Sequence, residues 1–136
     1  MGDPPGHVLV VEDDRNIREL ICEALRDASF DVVEAADGEE AVKAAIARRP
    51  AVVVLDLGLP RLDGVGVADQ IRDHYDQSVP IIVVTAGGRA GDVSRVRAAV
   101  TFTKPFDIDD LVGAVRQVLA PPAGAPETVN PRPAES

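Results

Sequence analysis

The stretch Ala-Val-Val-Val-Leu-Asp-Leu-Gly-Leu-Pro-Arg-Leu-Asp-Gly at residues 51–64 leaves the chain few folds to adopt. Five apolar residues run without interruption into Asp56, and Gly58, Pro60 and Asp63-Gly64 bring turn chemistry directly after it. A short apolar run bounded by turn residues reads as a strand buried on both faces, which places it at the centre of a parallel sheet. Parallel neighbours need crossover connections, so helices must cover both faces. In open sheets of this kind ligands bind beyond the carboxyl ends of the strands. Asp56 falls there.

The rest of the chain supplies the partners such a strand requires. His7–Val11 is a short apolar strand that stops at Glu12-Asp13-Asp14, and Asp14 or its neighbour caps a helix with Ile17, Leu20, Ile21, Ala24, Leu25 and Ala28 on one face. Asp31–Ala35 is a second strand. Asp37-Gly38-Glu39-Glu40 then forms a capping box for a helix that turns Ala41, Val42, Ala45 and Ile46 inward and ends at Arg48-Arg49-Pro50. After the Asp56 strand, Asp63-Gly64 opens a third helix with Val67, Ala68 and Ile71 inward.

Val79–Thr85 is a fourth strand, and Gly87, Gly88 and Gly91 loosen the segment before Val93, Val96 and Val100 suggest a fourth helix. Val100–Thr103 reads as a fifth strand ended by Lys104-Pro105-Phe106, and Asp107–Asp110 caps a last helix carrying Ile108, Leu111, Val112, Val115, Val118 and Leu119. Five strands alternate with five helices. Residues 1–6 are expected to be flexible, and the Pro- and Ala-rich residues 120–136 a disordered tail.

Composition removes several functions from consideration. Fourteen Lys and Arg against 23 Asp and Glu leave a net charge of −9, which opposes direct binding to nucleic acid or to an anionic membrane. No apolar run approaches membrane-spanning length, and the single Cys22 suits a small core residue in a reducing cytoplasm. Gly64-Val65-Gly66 lacks the third glycine of a dinucleotide fingerprint, and Gly87–Gly91 lacks the Gly-Lys-Ser/Thr of a phosphate loop. The acidic clusters lack the glycine and closing Glu of a calcium loop, and His7, His74 and one Cys make no zinc pattern.

What remains is a set of polar residues at strand ends: Glu12 and Asp13 after the first strand, Asp56 after the third, Thr85 after the fourth and Lys104 after the fifth. In a parallel sheet these ends lie along one edge, so the side chains converge. Three carboxylates together resist simultaneous ionisation, and a hard divalent cation with oxygen ligands relieves them. Mg²⁺, which keeps waters and binds through one or two carboxylates plus phosphate oxygens, is the natural choice.

Over residues 7–119 the chain resembles the receiver domain of two-component response regulators, through Val-Val-Glu-Asp-Asp at 10–14, Asp56 with Pro60 and Asp63-Gly64, Thr85-Ala86, and Lys104-Pro105-Phe106. The resemblance implies a flavodoxin-like α/β fold with strand order 2-1-3-4-5, one of the common doubly wound topologies. It implies Asp56 as phosphoacceptor, assisted by Thr85 and Lys104. It further implies Mg²⁺ held by Asp13, Asp56 and the Gly58 backbone carbonyl, with Glu12 acting through water. The implied partners are a sensor histidine kinase or phosphotransfer protein and an unidentified downstream protein, in a cytoplasmic domain that signals and is not an enzyme in its own right. Relay of phosphate to another protein, or service as the receiver of a larger regulator with an output domain, are the alternatives.

Two features depart from the family pattern. Counting back from Lys104, the position that usually carries an aromatic falls on Thr101, and Phe102 sits one residue later, where strand alternation turns it the other way. The interval from Thr85 to Lys104 is also shorter than usual, and the expected Gly-Ala turn before the fifth strand is missing. Gly58 and Gly87, two residues beyond Asp56 and Thr85, carry no side chain, which suggests open water access to a phosphoryl group and a short phosphorylated lifetime. The haloacid-dehalogenase-like phosphatases also use a strand-end Asp, but they resemble Asp-x-Asp and position 58 here is Gly.

Overall fold

A computed structural model describes residues 6–58, 63–76, 78–86 and 96–119. Its elements are β1 (Val8–Val11), α1 (Arg15–Asp27), β2 (Val32–Ala35), α2 (Gly38–Ala47), β3 (Val52–Asp56), α3 (Gly64–His74), β4 (Ile81–Thr85), β5 (Val100–Thr103) and α4 (Ile108–Leu119). All pairings are parallel and the sheet order is β2-β1-β3-β4-β5. The helix expected around Val93 falls mostly outside the described residues. Val96, at its end, is buried, and Val100 belongs to β5.

Alternation along the central strands divides the interior into two cores. Leu9, Val11, Val53, Leu55, Ile81 and Val83 meet α2 and α3 on one face. Val8, Val10, Val52, Val54, Ile82 and Val84 meet α1 and α4 on the other. Fully burying a Val or Leu stabilises by about 1.5–3 kcal/mol, so these strands anchor the rim on which the polar residues stand. Phe102 joins the α1/α4 core and stacks at a tilt 6.2 Å from Phe106, whereas Thr101 is exposed, as alternation requires.

Each helix starts at an aspartate. Asp14 Oδ1 accepts from Ile17 N–H at 3.1 Å, Asp37 Oδ1 from Glu40 N–H at 2.9 Å, and Asp63 Oδ1 from Gly66 N–H at 2.8 Å. Glu40 reaches back to accept from Ala36 N–H at 2.6 Å, which completes the capping box one residue earlier than its usual form. Before α4, Asp107 Oδ1 accepts from Asp109 N–H at 2.8 Å. Gly64 has a second role: a Cβ there would lie 2.5 Å from Leu57 Cα and 2.9 Å from the Asp56 carbonyl oxygen. Only glycine lets α3 begin so close to the end of β3.

Several expectations need correction. Leu20 and Ile46, expected inward, are 52% and 45% exposed. Successive helix residues point about 100° apart, so Leu20 lies beyond the edge of the stripe formed by Ile21, Leu25 and Cys22, and Ile46 lies off the line of Ala41 and Ala45. Four strands begin one or two residues later than expected, at Val8, Val32, Val52 and Ile81, the last directly after Pro80, which has no N–H to give a ladder. Arg72, to which the third helix's pattern assigns no role, is 8% exposed. Its guanidinium donates to the carbonyls of Val79, Val96 and Arg97, tying α3 to the start of β4 and to the turn before β5.

Candidate functional site

Five parallel strands with their carboxyl ends on one edge bring Glu12, Asp13, Asp56 and Lys104 into a single notch, with Thr85 at the adjoining end of β4. Glu12 is 1% exposed and Asp56 and Thr85 are 6% exposed, while Asp13 is open to solvent. One carboxylate oxygen from each of Glu12, Asp13 and Asp56 lies within 4.8 Å of the others. Lys104 Nζ is 2.9 Å from Glu12 Oε1 and 3.5 Å from Asp56 Oδ2. The ammonium thus sits between the two buried acids, closer to Glu12. Lys104 N–H donates to the Thr85 carbonyl at 2.7 Å, which fixes the ends of β4 and β5 side by side.

Further backbone contacts hold the acids in place. Asp56 Oδ1 accepts from Gly58 N–H at 3.0 Å, and Glu12 Oε2 accepts from Asp14 N–H at 3.1 Å. A residue absent from the sequence reading supports the same loop: Arg18 Nη1 donates to the Glu12 carbonyl at 2.9 Å while its Nε pairs with Glu34 at 3.3 Å. Its spacing in α1 carries no signal for the Glu34 pairing, which arises because β2 lies beside β1.

Burial pushes the Glu12 carboxyl up to about 7, against the lowering effect of Lys104 and the Asp14 amide, and the Asp56 charge adds to the rise. Desolvation therefore outweighs an ammonium in contact. Lys104 shows the reverse balance: burial pulls it down, but Glu12 and Asp56 together hold it above its ordinary value. Among the described residues Glu12 Oε1 has only this ion pair, with no partner at hydrogen-bond angles. A buried, under-satisfied carboxylate oxygen beside two more carboxylates is an all-oxygen donor set that fits a hard divalent cation.

The sheet order, the acidic notch and its lysine define a signalling receiver of the doubly wound α/β class. Residues 8–116 match the response regulator receiver domain family, and the chain belongs to that family. Among curated relatives, the transcriptional regulatory protein PdtaR of Mycobacterium tuberculosis is 38% identical over 120 residues, covering 85% of this chain and 58% of that protein. Among solved structures, chemotaxis protein CheY4 of Vibrio cholerae is 28% identical with a TM-score of 0.78, covering 85% of this chain and 100% of that one. The response regulator TrrA of Thermotoga maritima, solved in complex with Mg²⁺-BeF, is 34% identical with a TM-score of 0.75, covering 84% of this chain and 99% of that one. The chain spans about half the length of the curated relatives it matches. No helix among the described residues is long and apolar enough to cross a membrane.

Proposed function

We propose that residues 7–119 act as a phosphorylation-controlled switch in which Asp56 takes a phosphoryl group from the phosphohistidine of a sensor kinase or phosphotransfer protein. The observation that carries this reading is the meeting of Glu12, Asp13 and Asp56 within 4.8 Å, with the Lys104 ammonium between two of them. An Asp56 carboxylate oxygen attacks phosphorus as the bond to the donor imidazole breaks, and the imidazole leaves with the bond's electron pair. Lys104 offsets charge on the transferred group, and the Thr85 hydroxyl donates a hydrogen bond to one of its oxygens. Asp13, Asp56 and the Gly58 carbonyl would hold Mg²⁺, with Glu12 acting through water. Bound there, the cation supplies charge neutralisation for the phosphoryl oxygens.

Added negative charge beside Lys104 and Thr85 favours conformations that bring donors inward, and this changes the surface offered to a downstream protein. The protein itself is a signalling domain of the cytoplasm that assists its own phosphorylation and dephosphorylation. Because PdtaR is a longer transcriptional regulatory protein, a second reading has these residues serving as the receiver of a larger regulator. The net charge of −9 speaks against these residues touching DNA themselves.

Mass spectrometry after incubation with acetyl phosphate and Mg²⁺ tests the proposal. The expected result is one added phosphoryl group, absent in Asp56→Asn and absent when the metal is chelated. Labelling that persists in Asp56→Asn would overturn the assignment. Independently of labelling, Mg²⁺ should raise the urea midpoint of the wild type and leave that of Asp56→Ala unmoved, since a ligand that binds only the folded site stabilises it.

A further inference from the structure

Arg18 reaches from the outer strand of the sheet to the backbone of the acidic notch. Its Nη1 donates to the Glu12 carbonyl at 2.9 Å, and its Nε donates to Glu34 Oε1 of β2 at 3.3 Å. The second Glu34 oxygen pairs with Arg26, further along α1, at 3.3 Å. The Arg18 side chain is only 16% exposed, so little water competes for its donors.

What Arg18 grips is the peptide that joins Glu12 to Asp13. Glu12 N–H is already committed to the Ala35 carbonyl at 3.1 Å, and Arg18 takes the Glu12 carbonyl. The Glu12 carboxylate has anchors of its own in Lys104 and the Asp14 amide. Asp13 differs. Among the described residues its carboxylate makes no hydrogen bond or ion pair, although one of its oxygens lies within 4.8 Å of oxygens from Glu12 and Asp56. The backbone therefore sets where Asp13 stands, and Arg18 holds that backbone.

We infer, on the reading of the notch as a Mg²⁺ site, that Arg18 is a positioning residue for cation binding and that Glu34 acts through it. A guanidinium suits this task because its rigid fork presents two donors to two acceptors at once, and the ion pair on one side restrains the other. Charge alone makes the opposite demand. A fixed cation near the notch repels Mg²⁺, so deleting a bystander charge at position 18 would tighten the metal. Positioning and repulsion thus predict opposite signs.

Titration of the full chain with MgCl₂, without any phosphoryl donor, reads that sign from the Asp13 and Gly58 amide resonances in two-dimensional NMR. Urea midpoints without metal report separately on folding. Arg18→Gln should bind Mg²⁺ about tenfold more weakly than the wild type, the lower end of what losing a group that orients a metal ligand costs. Arg18→Lys keeps the charge but not the fork, and should also bind more weakly. Glu34→Ala should weaken binding in the wild-type background and change nothing in Arg18→Gln, because its effect passes through the guanidinium. Tighter binding in Arg18→Gln, a lowered urea midpoint with unchanged affinity, or a Glu34→Ala effect equal in both backgrounds would each overturn the positioning role and leave the metal site standing. A wild type that binds no Mg²⁺ would overturn the reading of the notch, and the role of Arg18 with it.

Discussion

Replacing His7 by leucine should stabilise the fold, and by more as the solution is acidified. The residue is fully buried ahead of β1, its carbonyl accepting from Ala51 N–H at 2.9 Å. Among the described residues neither ring nitrogen has a hydrogen-bond partner. A buried polar group left unsatisfied costs about 1–3 kcal/mol, whereas an apolar side chain of similar size costs under about 1.5 kcal/mol in repacking. A net gain of about 1 kcal/mol is therefore expected at pH 8, where imidazole is neutral in both states. Burial, with help from Arg48 and against Asp31, lowers the His7 pKa from its ordinary 6.5.

Because the lowered value belongs to the folded state, the unfolded chain binds the proton first as pH falls. Wild-type stability then declines below about pH 6.5, by up to about 1.4 kcal/mol per pH unit, until the folded-state value is reached. His7→Leu lacks this term, and all other titrations cancel in the difference. Urea denaturation of both proteins at pH 8, 6.5 and 5.5 reads it directly. A gap that stays constant with pH, or a variant less stable throughout, would refute the reasoning.

Three other substitutions probe the frame around the notch. Gly64→Ala should destabilise by about 2 kcal/mol or more, because its Cβ collides with Leu57 and the Asp56 carbonyl; thermal melts check it. Gly58→Arg should fold normally, since among the described residues a Cβ there meets only Asp56 Oδ1, at 3.7 Å, and should lengthen the phosphorylated lifetime severalfold by shielding the phosphoryl group from water. A lifetime unchanged by ³²P decay assays counts against that role. Arg72→Met should cost about 2–3 kcal/mol by stranding the carbonyls of Val79, Val96 and Arg97, seen as a lower urea midpoint.

Much of this architecture was legible because it is local. Apolar runs ending at Val11, Asp56 and Thr85 announced strands, and the aspartates ahead of α1, α2, α3 and α4 announced helix starts within a few residues of each. The converging strand ends followed from parallel topology alone. What stayed hidden depends on long-range geometry. Arg72 finds carbonyls up to 25 residues away, and Tyr75 reaches the Ala45 carbonyl 30 residues back at 2.6 Å. No spacing rule encodes such contacts. Leu20 and Ile46 show a different limit, since apolar identity does not say where a buried stripe ends. His7 was read as a mere strand start, because pattern carries no information about unpaired nitrogens.

The aspartate caps have a consequence for encounter rates. Asp14, Asp37, Asp63 and Asp107 stand on the same rim as Glu12, Asp13 and Asp56, so a donor carrying phosphate approaches against a concentrated field of its own sign. Small anionic donors should consequently react faster as added salt thins that field over its Debye length. A protein donor with a basic docking surface should slow down under the same salt. Ionic strength alone would then sort metabolic phosphate sources from macromolecular ones.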